Sequence, residues 1–295
     1  MKQTLENWKM EHNYLKVYEE VISFIDTEEG DKNLLFLHDF GTNSYSYHHQ
    51  INELKEEYRV IAPDFIGFGL SDKPRSYYYS IFDQAQVIIH LLRNLEVTDF
   101  AVVCQGYGAA IFAEILSQIE AGRLSFRVRN IILLNGSMTL ELVSGKSPKD
   151  LISNKVNSGF SKISYSYALF KKYFGMSLAD SKSLSDTDYS LFWNLLSERK
   201  GQKFIQFIDY CIVERKQFAK RWLKAFINAT CSIDLVWGEN DPLSPLYYAE
   251  KLHQLIEGSN LHTVESCGHF PSLETPNTLT QKIKTLNYEN NSLEH

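Results

Sequence analysis

Eight short apolar runs rich in Val, Ile, Leu and Phe punctuate the chain, at residues 15–17, 21–25, 34–38, 60–63, 100–103, 128–134, 233–237 and 261–264. Runs of this length, bounded by Gly, Pro, Asn or Asp, read as strands. Where their apolar character is continuous rather than alternating, both faces are covered. After the first three, the runs alternate with segments whose apolar residues recur every three or four positions, most clearly at 81–95. That alternation predicts an α/β fold, with a mostly parallel eight-stranded sheet and helices on both faces. Between the sixth and seventh runs the pattern changes. Residues 138–229 hold no convincing strand, are rich in Ser, Lys, Tyr and Phe, and show helical runs at 191–196 and 204–226, which predicts a helical cap inserted after the sixth strand. The expected organisation is a core of 1–137 and 230–292, a cap of 138–229, and a tag remnant at 293–295. Within the cap, the polar stretch from Ser144 to Ser161 reads as a lid hinge. No internal repeat is evident.

The turns that follow the strands carry the candidate chemistry. In AVVCQGYGA, from Ala101 to Ala109, a strand runs into a sharp turn and then a helix. A strand–turn–helix of the G-x-S-x-G kind lifts its central side chain above the sheet. Here Cys104 and Gly108 are the small flanks, and Gly106 holds the nucleophile position. Taken alone, such a turn equally suits packing or phosphate binding, although it lacks the third glycine of G-x-G-x-x-G and the Lys-Ser/Thr pair of a P-loop. In NLLFLHDFGT, from Asn33 to Thr42, the third strand delivers His38 and Phe40 to its carboxyl end. The backbone N–H of Phe40, with that of Tyr107, is the expected oxyanion hole. RVIAPDFIGFGLSDKP places Asp64 and Ser71 as loop-fixing residues. In IDLVWGENDPLSP and HTVESCGHFPSLETP, an apolar strand runs out into a polar residue beside Gly or Pro, which assigns Asp241 as acid and His269 as base. Singly, Asp241 also suits a turn before Pro242, and His269 a loop histidine. An acid that fixes the imidazole tautomer makes the pair catalytic, and the order nucleophile position, acid, base is that of α/β-hydrolases.

With RVIAPDFIGFGLSDKPRSYYYSIFDQA and FIDYCIVERKQFAKRW, these segments resemble the haloalkane dehalogenase and epoxide hydrolase branch of the α/β-hydrolases, over nearly all of residues 34–286. The resemblance implies an α/β-hydrolase fold with a helical cap and an elbow aspartate that attacks carbon to form an ester intermediate. Two departures stand out. Where the branch carries His-Asp-Trp or His-Asp-Tyr, this chain reads Gln105, Gly106, Tyr107. Where epoxide hydrolases carry His-Gly-x-Pro, it reads His38, Asp39, Phe40, Gly41. Tyr107 and Phe40 stand at two places where dehalogenases grip halide. The resemblance also suggests Tyr165, Tyr167, Tyr173 and Tyr189 as acids for an opening epoxide, without choosing among them, although a tyrosine-rich helix face is more often core.

Composition narrows the picture further. The 295 residues, 44% hydrophobic, suit one α/β domain with an insertion. A net charge of −6 without a basic stripe excludes nucleic acid as a partner. Lys and Arg between 215 and 224 alternate with Phe218, Trp222 and Leu223, as on the solvated face of an amphipathic helix. Cys104, Cys211, Cys231 and Cys267 form no C-x-x-C pair and read as free thiols in a reducing compartment, with Cys104 packed beneath the elbow. The first twenty residues hold no apolar h-region, and no run reaches the roughly 18 apolar residues of a membrane span, so a cytoplasmic location is expected. No cofactor or metal motif is found, the expected partner is a small apolar molecule, and the oligomeric state stays open. With glycine at 106, covalent hydrolysis is expected to be impaired by on the order of a millionfold. Three readings follow: a hydrolase lacking its attacking group, a His269–Asp241 dyad acting by direct proton abstraction, and a non-catalytic ligand-binding pseudo-hydrolase.

Overall fold

All eight apolar runs become strands in the computed structural model, which describes residues 4–136, 166–203 and 209–289. They are β1 (Asn13–Val17), β2 (Glu20–Asp26), β3 (Lys32–Leu37), β4 (Tyr58–Asp64), β5 (Asp99–Gln105), β6 (Arg127–Leu134), β7 (Ser232–Gly238) and β8 (Asn260–Val264). One sheet joins them in the order β1-β2-β4-β3-β5-β6-β7-β8. β2 pairs antiparallel with β1 and β4, and every later pairing is parallel. β3 ends at Leu37, so His38 is the first residue of the loop beyond it rather than the last of the strand.

The inner strands β2 to β7 carry continuous apolar runs because alternate residues enter two separate cores, while the edge strands β1 and β8 are largely exposed. Leu35, Leu37, Val102, Cys104, Ile131 and Leu133 face one core. There they meet α3 (Ile81–Asn94), α4 (Gly106–Glu120) and α7 (Asp209–Ile227). Leu34, Phe36, Ala101, Val103, Ile132 and Leu134 face the other. It is closed by Ile51 and Leu54 of α2 (His48–Leu54) and by Leu279 and Ile283 of α10 (Pro276–Glu289). The remaining helices are α1 (Leu5–Met10), α8 (Tyr247–Leu255) and α9 (Pro271–Glu274). Among the described residues no helix is long and apolar enough to cross a membrane.

Between β6 and β7 the described residues form only helices and 3-10 turns: α5 (Tyr167–Gly175), α6 (Asp186–Ser197) and α7. The hinge expected between Ser144 and Ser161, Tyr165, and residues 293–295 lie outside the described residues. The described part of this excursion is fastened to the sheet domain at two places. Ser177 O accepts from His269 N at 3.0 Å, and the Glu274 carboxylate gathers the N–H groups of Ala179, Gly268 and Phe270 at 2.7, 3.0 and 3.0 Å. On α7, Glu214 turns inward to accept from Ser80 Oγ at 2.6 Å and from Ile81 N at 2.7 Å, where the start of α3 leaves donors without intrahelical partners. The basic face of α7 is solvated: Lys216, Lys220, Arg221 and Lys224 are exposed, Arg221 also reaching the buried Glu114 at 2.8 Å, while Trp222 on the inner face donates to Glu114 at 3.0 Å.

Candidate active site

Parallel pairing puts every strand-end loop from β3 to β8 at one edge of the sheet. β3 and β5 are immediate neighbours, with Leu37 opposite Cys104, so the turns leaving them touch. Gly108 allows the contact: its N–H donates to His38 O at 3.1 Å, and a Cβ there would lie 2.5 Å from Leu37 O. Gly106 has φ +45°, the left-handed conformation that lifts an elbow residue off the sheet.

That turn is not vacant, as its glycine suggests. The Asp39 carboxylate fills it from the β3 loop, so that a Cβ on Gly106 would lie 1.9 Å from Asp39 Oδ1 and 2.4 Å from its Cγ. The N–H groups of Phe40 and Tyr107, the expected oxyanion hole, both donate to Asp39 Oδ1 at 2.7 Å. Asp39 Oδ2 lies 2.9 Å from His269 Nε2. Its backbone is also held, since Asp39 O accepts from Thr42 Oγ1 at 2.7 Å and from His38 Nδ1 at 2.8 Å. His38 Nε2 accepts from Phe65 N at 3.0 Å, which leaves the ring proton on Nδ1. Burial keeps this imidazole below its ordinary pKa against the pull of Asp64. His38 therefore serves as a neutral strut.

On its other side, His269 meets Asp241 through Nδ1 and Oδ2 at 2.8 Å. Asp241 is itself fixed: Oδ1 accepts from Leu243 N and Ser244 N at 2.7 and 2.9 Å, and Oδ2 from Asn135 Nδ2 at 2.7 Å. Asn135 accepts in turn from Gly238 N at 2.8 Å, and Gln105 Nε2 donates to His269 O at 2.6 Å. Burial pulls the His269 pKa down, but the carboxylates of Asp241 and Asp39 outweigh it and raise the ring to about 10. For Asp39, burial pushes upward and is outweighed by His269 and the two backbone donors, leaving the carboxyl below its ordinary range. At neutral pH the resting arrangement is an imidazolium between two carboxylates.

The structure brings Asp241, His269, Gly106, Phe40 and Tyr107 together around the Asp39 carboxylate. It adds Asp39, Asn135 and Gln105. Asn135 carries the signature that marks Asp241 and His269, a polar residue beside Gly or Pro beyond a strand, in IILLNGS. The aromatic rings of Phe40, Phe65 and Phe68 surround Tyr107, whose hydroxyl donates to Tyr79 O at 3.1 Å. Tyr189 spends its hydroxyl on Ser181 O at 2.9 Å, and Tyr167 packs near Trp193. Tyr173 lies beneath Lys172. Cys104 is fully buried beneath the turn, where burial pushes its thiol pKa up, so it is no substitute nucleophile. Asp64 and Ser71 hold loops as expected: Asp64 accepts from Ser44 N at 2.8 Å and Leu70 N at 2.7 Å, and Ser71 Oγ donates to Asp64 O at 2.5 Å.

The family model for the alpha/beta hydrolase fold matches residues 32–276, a span containing every group above. The chain belongs to the α/β-hydrolase fold family. Among the relatives of this α/β-hydrolase is LipZ of Mycobacterium tuberculosis, named as a hydrolase, with 26% identity covering 89% of this chain and 91% of LipZ. The mesoderm-specific transcript homolog protein of Homo sapiens is 29% identical, covering 82% of this chain and 75% of that protein. A meta-cleavage product hydrolase from Pseudomonas fluorescens superposes with a TM-score of 0.75 at 20% identity, covering 94% and 97% of the two chains. A lipase-named protein of Acinetobacter baumannii superposes with a TM-score of 0.82 at 16% identity, covering 100% and 99% of the two chains. At such identities the superpositions establish the fold of this α/β-hydrolase.

Proposed function

We propose that this α/β-hydrolase cleaves a small, largely apolar substrate in the manner of the haloalkane dehalogenase and epoxide hydrolase branch, with His269 as base and Asp241 as its orienter. The observation that carries this reading is the 2.8 Å contact between Asp241 and His269 Nδ1, which turns Nε2 toward the Gly106 turn and its two backbone donors. An acid so placed holds the ring tautomer and stabilises the imidazolium. The helices between β6 and β7 act as the cap, seated on the His269 loop through Ser177 and Glu274. The four free cysteines suit a reducing, cytoplasmic setting.

A second reading, a ligand binder without turnover, draws on the resting ion pair. While Asp39 is charged, His269 keeps its proton and offers no free base. One experiment separates the two. Butyl bromide, styrene oxide and phenyl butyrate are offered to the wild type and to His269→Ala. Hydrolysis by the wild type that falls about a hundred to ten-thousandfold in the variant supports the enzyme. Equal rates in both proteins would reject it.

A further inference from the structure

We propose that Asp39 is the nucleophile of this enzyme, supplied to the elbow from the neighbouring β3 loop in place of a side chain at Gly106. The proposal rests on the hydrolase reading above and deepens it.

The lone pairs of the carboxylate decide its role. A carboxylate offers about four acceptor sites, two on each oxygen. Oδ1 uses both of its sites, on Phe40 N and Tyr107 N. Oδ2 uses one, on His269 Nε2. The remaining site is on Oδ2, so Oδ2 is the attacking atom. Asp39 is anionic at neutral pH and keeps about a tenth of its side chain accessible.

The same occupancy selects the electrophile. A carboxylic ester needs those donors for its own carbonyl oxygen, and they are taken. A saturated carbon bearing a leaving group needs none of them. In the first step, an Oδ2 lone pair bonds to that carbon, and the pair of the broken carbon–leaving-group bond departs with a halide or an epoxide oxygen. Asp39 is then a neutral alkyl ester, so His269 has lost one of the two charges that raise its pKa. Its proton passes to the epoxide oxygen or to solvent. In the second step, His269 Nε2 takes a proton from water and the resulting hydroxide adds to Asp39 Cγ. The negative charge forms on Oδ1, between the two N–H groups already at 2.7 Å, which is where an oxyanion hole must act. Collapse breaks the Cγ–Oδ2 bond, and the released alkoxide takes the proton from His269. The new carboxylic acid returns its proton to His269, which restores the resting ion pair. The alcohol carries one of Asp39's oxygens, and Asp39 carries one from water.

Butyl bromide and styrene oxide, each turned over in water enriched in the heavy oxygen isotope, test this directly. The expected result is heavy oxygen in the Asp39 side chain, located by peptide mass spectrometry. His269→Gln is expected to stop with the alkyl ester on Asp39, and Asp39→Asn to lose on the order of a millionfold in turnover. A second variant, Asp39→Ala, with its fold checked by circular dichroism, guards against a misfolded Asn protein. Turnover that disappears in His269→Ala but survives within about tenfold in Asp39→Asn and Asp39→Ala would leave the hydrolase standing and remove Asp39 as nucleophile. Failure of both probes to leave any mark on Asp39, in wild type or His269→Gln, overturns the proposal as well.

Discussion

The loops leaving β3 and β5 lie side by side at the carboxyl edge of one sheet, and each carries what the other ordinarily supplies. In the pattern this chain resembles, the β3 loop offers glycine and a backbone N–H, while the β5 turn offers aspartate. Here the β3 loop brings Asp39 and the β5 turn brings Gly106. The carboxylate nevertheless arrives within 2.9 Å of the histidine and within 2.7 Å of both donors. A reactive constellation is thus a set of positions in space, and two adjacent parallel strands give two backbone routes to one of them. Glycine at 106 is what the second route requires, because any Cβ there meets the incoming carboxylate.

Gly106→Asp alone forces a second carboxylate into space already filled by the first, and we expect it to cost more than about 3 kcal/mol in urea unfolding, since a buried charge without a partner and overpacking act together. Gly106→Ala carries only the steric part. A φ of +45° strains any side chain by about 1 to 3 kcal/mol, and displacing Asp39 strands two buried N–H groups, so a loss of about 2 to 4 kcal/mol is expected. A neutral outcome for Gly106→Ala would mean that Asp39 does not hold that space.

Asn135→Ala probes the other arm of the site. It leaves Gly238 N–H buried without a partner and Asp241 one donor short, at about 1 to 3 kcal/mol. Chemical denaturation midpoints check the stability, and a parallel fall in turnover checks the orientation of His269. At the opposite edge of the same strands, Arg129 pairs with Asp99 at 2.5 Å with about two-fifths of each side chain exposed. Arg129→Ala should therefore change stability by less than about 1 kcal/mol and leave turnover unaltered.

The pH dependence has a definite sign. His269 has a folded pKa raised from 6.5 to about 10, so its contribution to stability is fully present below 6.5 and is lost as pH rises through 10. Asp39 has a folded pKa lowered from 3.8, so its contribution is present above that value and is lost as pH falls through the lowered one. The ion pair therefore stabilises most across the interval between. Asp39→Asn removes one of the two charges on His269, and the imidazole resonances should titrate at lower pH in the variant. An unmoved midpoint would show that Asp39 and His269 are not coupled.

Much of this molecule was legible in its sequence. The inner strands were visible because a strand covered on both faces cannot hide its apolar run, and the exposed edge strands β1 and β8 showed only as short ones. Asp241 and His269 were visible because each ends such a run beside Gly or Pro. Asp39 ends one too, but its meaning lay across the sheet: Tyr107 is 68 residues away and His269 is 230. The β3–β5 pairing brings Tyr107 to Asp39 and the loop after β8 brings His269, and periodicity does not encode which strands pair or where such a loop reaches. Glu214 escaped for a related reason. On a helix read as a solvated basic face, its carboxylate found the open N–H groups of α3, a partner that local pattern does not reveal.

The most direct test of the account is the reciprocal exchange. Asp39→Gly alone should abolish turnover of styrene oxide, and Asp39→Gly combined with Gly106→Asp should restore it to within about a hundredfold of wild type, the carboxylate reaching the same place by the other strand. Turnover that persists in Asp39→Gly alone would contradict the claim that this carboxylate performs the chemistry.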